Sequence, residues 1–190
     1  VSRRTGTAQI DLGAVGKGFA VDAVADLLPD YGVASALVHA GESTVRPVGP
    51  CPGLSGGAWV MQLRTPSAPD VSFGRIVLRT AALSGSAQVL HGPHIYDPRT
   101  GRPANRYAAA WALAPTAARS DALSTAFMLM SRTDIETLCR KHRKVGAAVH
   151  TPDGALHLYG ALKKRTVSGC IVPETSSPEP EPRDTEEPPQ

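Results

Sequence analysis

The chain has 190 residues, of which 42% are hydrophobic and 19% are charged. This composition is typical of globular proteins and excludes a chain that is disordered throughout, and the length suffices for one domain with a real core. No stretch approaches the ~20 consecutive apolar residues of a membrane-spanning helix. The sequence begins without a methionine or the apolar region of a signal peptide. We therefore expect it to be part of a longer polypeptide, in which an upstream export signal or membrane anchor would not be visible here.

The formal net charge of +3 combines two regions of opposite sign. Residues 171–190 contain six acidic residues, one arginine and six prolines, and are predicted to form a disordered acidic tail. Residues 1–170 contain 19 basic and 11 acidic residues and are predicted to form the folded domain. A basic domain suits nucleic acid, anionic lipid or a phosphorylated small molecule. The basic residues are scattered and aromatic residues make up only 5%, so no nucleic-acid partner is expected.

Helical and strand patterns alternate irregularly along the domain. Apolar residues at helical spacing predict helices over residues 17–28, 116–130 and 134–142. The first helix ends at Pro29. Its apolar stripe consists of Phe19, Ala20, Ala23, Val24, Leu27 and Leu28.

Apolar or alternating runs rich in β-branched residues predict strands. They cover residues 36–40, 58–63, 75–80, 107–114, 146–150 and 155–159, the last two joined as a hairpin by a turn at 151–154. Proline and glycine predict a segment without regular structure over 47–57, and the small residues ALSGS at 82–86 predict a turn after a strand. The interleaving favours an α+β fold with a mixed or antiparallel sheet and packed helices.

Three cysteines, Cys51, Cys139 and Cys170, are far apart in the sequence and form no CxxC pair and no zinc spacing. They allow either one disulfide or unpaired thiols without a function, so they do not decide the redox compartment.

Glycines precede the first helix in the segment Ile10-Asp-Leu-Gly-Ala-Val-Gly-Lys-Gly18. They would let the backbone approach a ligand, while the helix N-terminus offers unpaired N–H groups and Lys17 adds a positive charge. This combination suits a phosphate or diphosphate. The spacing is neither a Walker A loop nor GxGxxG, and an ordinary turn before a helix explains it equally well.

Two further segments carry side chains suited to catalysis or metal binding. His94 stands before the turn sequence Asp97-Pro-Arg-Thr-Gly101, where Asp97 is expected to bond its own backbone. His94 is either a general base or a hydrogen-bonded bystander. Asp121 and Thr125 are four residues apart, so they share one helix face and offer two oxygen ligands to Mg²⁺. The alternative is capping of the helix start by Ser120 or Asp121.

In this order and at these separations, five segments resemble the FAD:protein FMN transferases, the ApbE-like flavin transferase family. They are IDLGAVGKGFAVDAVADLL, LVHAGE, ALSGS, HIYDPRTGRP and SDALSTAFMLM. The last two are similar to the family's His-x-x-Asp-Pro-x-Thr-Gly signature and its Asp-Ala-x-x-Thr-Ala helix. The resemblance covers residues 10–130, with weaker similarity to about residue 160.

The resemblance implies a Mg²⁺-dependent enzyme that cleaves the diphosphate of FAD and transfers FMN to a threonine or serine hydroxyl of an acceptor flavoprotein, releasing AMP. Carried over by position, the site residues fall into three groups. They are the metal ligands Ala14 (through its backbone carbonyl), Asp121 and Thr125; the FAD contacts Asp11, Lys17 and the backbone near Tyr96; and the candidate base His94. Family members are typically exported and often membrane-anchored, so an extracytoplasmic, membrane-associated location is expected.

The sequence departs from the family pattern at several points. Glu42 follows Gly41 where the family has a second glycine, and Leu83 replaces a threonine. The family's N-terminal portion, which supplies much of the FAD pocket, has no counterpart, so residues 1–170 correspond to the C-terminal portion of a flavin transferase domain. Two alternatives to transfer therefore stay open. One is a non-catalytic remnant that binds flavin or nucleotide, and the other is an FAD diphosphatase in which water replaces the protein hydroxyl.

Overall fold

The structure is a computed structural model that describes residues 11–54, 56–64, 70, 72–87 and 94–164, and the backbone of 166–167. The predicted acidic tail, residues 171–190, and Cys170 lie outside the described residues. Within the described residues the chain forms three α-helices and eleven strands. The helices are α1 (Gly16–Leu27), α2 (Ala117–Phe127) and α3 (Arg132–Lys141). The strands are β1 (Ala36–Ala40), β2 (Thr44–Val48), β3 (Trp59–Leu63), β4 (Gly74–Leu78), β5 (Ala82–Ala87), β6 (Tyr96–Asp97), β7 (Arg102–Pro103), β8 (Ala109–Ala114), β9 (Gly146–His150), β10 (Leu156–Gly160) and β11 (Thr166–Val167).

Six strands form the main sheet in the order β1-β2-β5-β8-β9-β10, and every neighbouring pair is antiparallel. A second antiparallel sheet has the order β11-β4-β3, and β6 and β7 form a small hairpin. The predicted α+β fold with an antiparallel sheet and packed helices is confirmed. All three predicted helices are present, as are the predicted strands, with small shifts at their ends.

The central strand β8 is buried along its whole length because both faces of the main sheet are covered. Ala110 and Ala112 face a core that includes Phe127 of α2 and Ile135 of α3. On the opposite face, Trp111 and its neighbours pack against the second sheet. Alternate residues of one strand thus serve two cores, as the two-residue period of a strand requires. The alanines on the helix side leave room for α2 to lie close to the sheet.

Two segments whose composition is unfavourable for strands lie partly or wholly within strands. The predicted irregular segment 47–57 begins inside β2, where Pro47 lies opposite Leu37 of β1. Pairing between β2 and β5 ends at Val45, so the missing N–H of Pro47 falls where β2 has no second neighbour. The predicted turn at 82–86 is also wrong, because these residues form most of β5 in the middle of the main sheet.

Helices α1 and α2 cross at a glycine. A Cβ atom on Gly18 would stand 2.3 Å from the carbonyl oxygen of Ala117, so only glycine permits this approach. Of the three glycines in the segment before the helix, Gly18 therefore serves helix packing. The buried side chains of α1, Val21 and Ala25, are small and continue the contact.

The apolar stripe of α1 lies on the opposite side of the helix from this contact. Phe19 is 68% exposed and Leu27 is 51% exposed, and Ala20, Ala23 and Val24 are also exposed. Leu12 and Tyr31, at either end of the helix, are exposed as well. The described residues thus leave an apolar helix face uncovered, which in folded proteins marks a surface that another chain segment or molecule covers.

Replacing Gly18 by alanine tests the helix crossing. The added methyl group has backbone atoms in its way, so we expect a loss of about 1–3 kcal/mol in the free energy of unfolding, measured by urea denaturation. Gly16→Ala is the matched control, because its Cβ would meet only the Cβ of Leu12 at 3.7 Å. The control should be as stable as the parent or slightly more stable. Equal stability of the two variants would contradict the close approach at Gly18.

Candidate functional site

Asp121 is the most deeply buried ionisable side chain of the predicted site, with 3% of its surface exposed. Its Oδ2 accepts a hydrogen bond from the backbone N–H of Gly18 at 2.9 Å, and the hydroxyl of Thr44 donates to Oδ1 at 3.4 Å. Asp121 does not cap its own helix, whose N-cap is Thr116, accepting from the N–H of Arg119. The alternative of Ser120 or Asp121 capping α2 is therefore wrong, and Asp121 instead caps the N-terminus of α1.

A second aspartate makes the reciprocal contact. Asp22 of α1 accepts hydrogen bonds at 2.8 Å from the N–H groups of Ala117 and Ala118, the first two residues of α2. The guanidinium of Arg46 also bonds Asp22, at 2.8 Å. Each helix thus supplies a carboxylate, one turn beyond the crossing point, to the N-terminus of the other. This exchange fixes the position of Asp121 relative to the start of α1.

The hydrogen bond from Gly18 to Asp121 takes the place of a helical hydrogen bond to the Ala14 carbonyl. In a regular helix the N–H of Gly18 would donate to the carbonyl four residues earlier, which belongs to Ala14. That N–H donates to Asp121 instead, and among the described residues no hydrogen bond to the Ala14 carbonyl is found. This carbonyl belongs to an exposed residue that stands two positions before the first residue of α1.

Hydroxyl groups connect β5 to the buried face of α2. Ser84 bonds Ser120 at 2.6 Å, and two residues further along the strand Ser86 bonds Ser124 at 2.8 Å. The hydroxyl of Ser86 also lies 3.2 Å from that of Thr125. Thr125, the second predicted side-chain ligand, thus contacts β5 through Ser86. It lies on the same helix as Asp121.

These oxygen atoms fit a hard divalent cation. Asp121 offers a carboxylate, Thr125 a hydroxyl and Ala14 a carbonyl, which are ligand types that Mg²⁺ accepts. In the part of the chain that the structure describes, no group of three or more histidine, cysteine, aspartate or glutamate side chains is placed to hold a metal. A magnesium site here would rest on one carboxylate, with oxygens of the substrate and water completing the coordination.

Lys17 and Asp11 occupy the approach to α1. Lys17 is exposed in the first turn of the helix, which contains no acidic residue. A cation at the positive end of a helix is unfavourable unless an anion offsets it, so this turn suits a bound phosphate. Asp11 accepts from the N–H of Gly13 at 2.7 Å and thereby shapes the turn that leads to the helix.

His94, the predicted base, precedes β6, and Tyr96 is the first residue of that strand, which a turn at residues 98–101 connects to β7. The N–H groups of Thr100 and Gly101 donate to the Asp97 carbonyl, and Oδ1 of Asp97 accepts from the N–H of Arg99 at 2.9 Å, as expected from the turn sequence. Hydrogen bonds from the Arg99 guanidinium lower the pKa of the Asp97 carboxyl to about 2. Asp97 is therefore ionised at neutral pH and poorly suited to accept a proton, whereas the exposed imidazole of His94 is a group of the right type.

The predicted site has two parts, one where α1 and α2 cross and one at the β6–β7 hairpin, and both lie along α2. Ile95 packs in the same core as Phe127 and Met128, at the C-terminal end of that helix. An open cleft of about 690 Å³ separates the turn from α3, with Asp97, Arg106 and Met130 among its lining residues. Asp121 bonds the start of α1 directly, and Thr125 follows it by four residues in the same helix. The described hydrogen bonds do not join Tyr96 to this group.

Thr44 and Ser86, which contact the two predicted side-chain ligands, are not predicted from the sequence. Ser84 and Ser86 alternate with Leu83 and Gly85, and this two-residue period would have indicated a strand with hydroxyls on one face. Nothing in the sequence around Thr44 indicates its partner, which is 77 residues away.

The remaining expectations concern the cysteines and the membrane. Cys51 and Cys139 are free thiols, and burial raises the pKa of Cys139 to about 11. Among the helices that the structure describes, none has the length and apolar character needed to cross a membrane.

Comparisons with known proteins identify the fold family. The sequence matches the ApbE family over residues 1–149. Similar solved structures include the ApbE protein of Thermotoga maritima, with 28% identity and a TM-score of 0.72, covering 84% of this chain and 54% of that one. The flavinyl transferase ApbE of Pseudomonas stutzeri has 25% identity and a TM-score of 0.67, covering 85% and 52%. The flavin transferase ApbE of Vibrio cholerae has 27% identity and a TM-score of 0.67, covering 82% and 52%.

A comparison with curated proteins finds no match. The chain spans about half the length of the solved relatives that it resembles. The family match covers well over half of this chain, and the similar structures share its arrangement of sheet and helices. The chain therefore belongs to the ApbE family.

Proposed function

We propose that this chain is part of an FAD:protein FMN transferase, which uses Mg²⁺ to transfer FMN from FAD to a threonine or serine hydroxyl of an acceptor flavoprotein and releases AMP. Family membership, with two similar structures named as flavin transferases, supports flavin transfer in general. The observation that carries the specific proposal is the buried Asp121 carboxylate at the N-terminus of α1, beside the Ala14 carbonyl and on one helix with Thr125.

In this proposal Asp121, Thr125 and the Ala14 carbonyl hold the magnesium ion. The ion, when bound, neutralises negative charge that develops on the diphosphate during phosphoryl transfer. Lys17 contributes a second positive charge, and the N-terminus of α1 offers its dipole to the same phosphates. Asp11 holds the turn in front of α1 and contacts FAD, and the backbone near Tyr96 contacts the flavin nucleotide from strand β6.

His94 takes the proton of the incoming threonine or serine hydroxyl. The oxygen then attacks the phosphorus atom on the FMN side of the diphosphate, the bond to the bridging oxygen breaks, and AMP leaves. Asp97, whose pKa the Arg99 guanidinium lowers to about 2, is not the proton acceptor in this proposal.

The proposal includes the part of the domain that this chain does not contain. Residues 1–170 would form the C-terminal portion of the transferase domain, and the polypeptide that corresponds to the rest of the relatives would cover the apolar stripe of α1. An extracytoplasmic location with membrane association, implied by the family resemblance, belongs to the same proposal.

Asp121→Asn tests the metal site, with Asp22→Asn as its matched control. Both aspartates cap a neighbouring helix, so both variants should lose about 0.5–2 kcal/mol of unfolding free energy. Only Asp121 is a proposed ligand. We expect Mn²⁺ binding to the chain, followed by water-proton relaxation, to weaken at least tenfold in Asp121→Asn and to weaken much less in Asp22→Asn, which changes no proposed ligand. Unchanged Mn²⁺ affinity in Asp121→Asn would overturn the proposed site.

His94→Ala tests the transfer step in a polypeptide that also carries the half present in the relatives. A general base accelerates chemistry by about 10²–10⁴-fold and contributes little to substrate affinity. Covalent flavin on a threonine-containing acceptor, detected by fluorescence after denaturing electrophoresis, should therefore nearly disappear, while FAD affinity measured by flavin fluorescence persists. A parallel loss of affinity and rate would instead assign His94 to flavin positioning.

The parent protein in the same assay separates the proposed reaction from its alternatives. Transfer yields AMP and covalent flavin together. AMP and FMN without covalent flavin would indicate an FAD diphosphatase, and bound, intact FAD would indicate a non-catalytic remnant.

A further inference from the structure

The hydroxyl network between β5 and α2 has a fixed direction of proton donation. Each hydroxyl carries one hydrogen atom and can therefore donate once. Ser120 donates to the carbonyl of Ala117 at 3.0 Å, and Ser124 donates to the carbonyl of Asp121 at 2.9 Å. Both serines of α2 have thus used their hydrogen atoms on their own helix and can only accept from β5.

The two serines of β5 are consequently donors toward α2. Ser84 donates to Ser120, and Ser86 donates to Ser124. Since Ser86 has then used its own hydrogen atom, its contact with Thr125 at 3.2 Å requires Thr125 to donate to Ser86. The hydrogen atom of the Thr125 hydroxyl points toward β5.

We propose that Ser86 is a positioning residue. It accepts a hydrogen bond from the hydroxyl of Thr125 and thereby turns the oxygen lone pairs of Thr125 toward the cation. A neutral hydroxyl binds a metal ion through a lone pair, so its hydrogen atom needs an acceptor on the side away from the metal. Partners that orient metal ligands in this way typically change metal affinity 10–100-fold when they are removed. The inference rests on the proposed function, because it takes Thr125 as a metal ligand.

Ser86→Ala removes the acceptor, and Ser84→Ala is the matched control. Each variant deletes one hydroxyl of β5 that donates to a serine of α2, and each leaves that serine bonded to its own helix. Only Ser86 also contacts Thr125. We expect Mn²⁺ affinity, measured by water-proton relaxation on the full chain, to fall about tenfold in Ser86→Ala and to stay unchanged in Ser84→Ala. Urea denaturation should show that both variants fold cooperatively.

A double-mutant cycle with Thr125→Val separates positioning from a general weakening of the fold. In the Thr125→Val background, Ser86→Ala should cause no further loss of Mn²⁺ affinity, because no hydroxyl remains to be oriented. Equal losses of affinity in both backgrounds, or equal losses in Ser84→Ala and Ser86→Ala, would overturn the inference.

Asp121→Asn distinguishes the failure of this inference from the failure of the proposed function. If Asp121→Asn abolishes Mn²⁺ binding and Ser86→Ala does not weaken it, the metal site stands and the role of Ser86 is wrong. If Asp121→Asn leaves Mn²⁺ binding intact, the site lies elsewhere and both proposals fall.

Discussion

The structure depends on one electrostatic constraint, the meeting of two helix N-termini. Helices α1 and α2 cross where Gly18 touches Ala117, close to the start of each helix. Two positive dipole ends and their unpaired N–H groups are thereby brought together, which is unfavourable without nearby anions. Asp22 and Asp121 supply the anions, each reaching from one helix to the N-terminus of the other. The contact also explains why the crossing point is a glycine, since the side chains that bridge the helices require the backbones to be close.

In the proposed enzyme, the same constraint would prepare a site for a metal ion and a phosphate. Asp121 uses Oδ2 to accept the N–H of Gly18, which withdraws that donor from the carbonyl of Ala14. A carboxylate and a carbonyl oxygen are thus placed near one another by the interaction that holds the helices together. In that proposal Lys17 would add a positive charge beside the buried carboxylate, which favours an anionic substrate. In the proposed enzyme, structure and binding therefore use the same residue, and substitutions of Asp121 must be compared with those of Asp22.

Local patterns in the sequence predict the helices and most strands. The arrangement of the candidate site depends on contacts between residues that are far apart in the sequence. The helix over 17–28 follows from apolar spacing and Pro29, and the placement of Asp121 and Thr125 on one helix face follows from their spacing of four residues. Strand β5 was missed because glycine and two serines lower its strand propensity, whereas its position beside β8 makes it a strand. The partner of Gly18 is 103 residues away, and no local rule can identify it. The family resemblance implies that Ala14 is a ligand, and the displaced helical hydrogen bond, visible only in the structure, supports that proposal.

In helix α1, the local sequence pattern and the contacts with distant residues can be considered together. Its sequence is apolar on two sides, with small residues toward α2 and a stripe from Phe19 to Leu27 on the other side. A helix that is apolar nearly all round is normally buried all round. Its two acidic residues, Asp22 and Asp26, are both paired with Arg46. Within the proposed transferase, α1 is therefore an internal helix between two parts of the domain. Its N-terminus, with Ala14, Lys17 and the carboxylate of Asp121, then opens where those parts meet, which is where large substrates such as a dinucleotide are commonly bound.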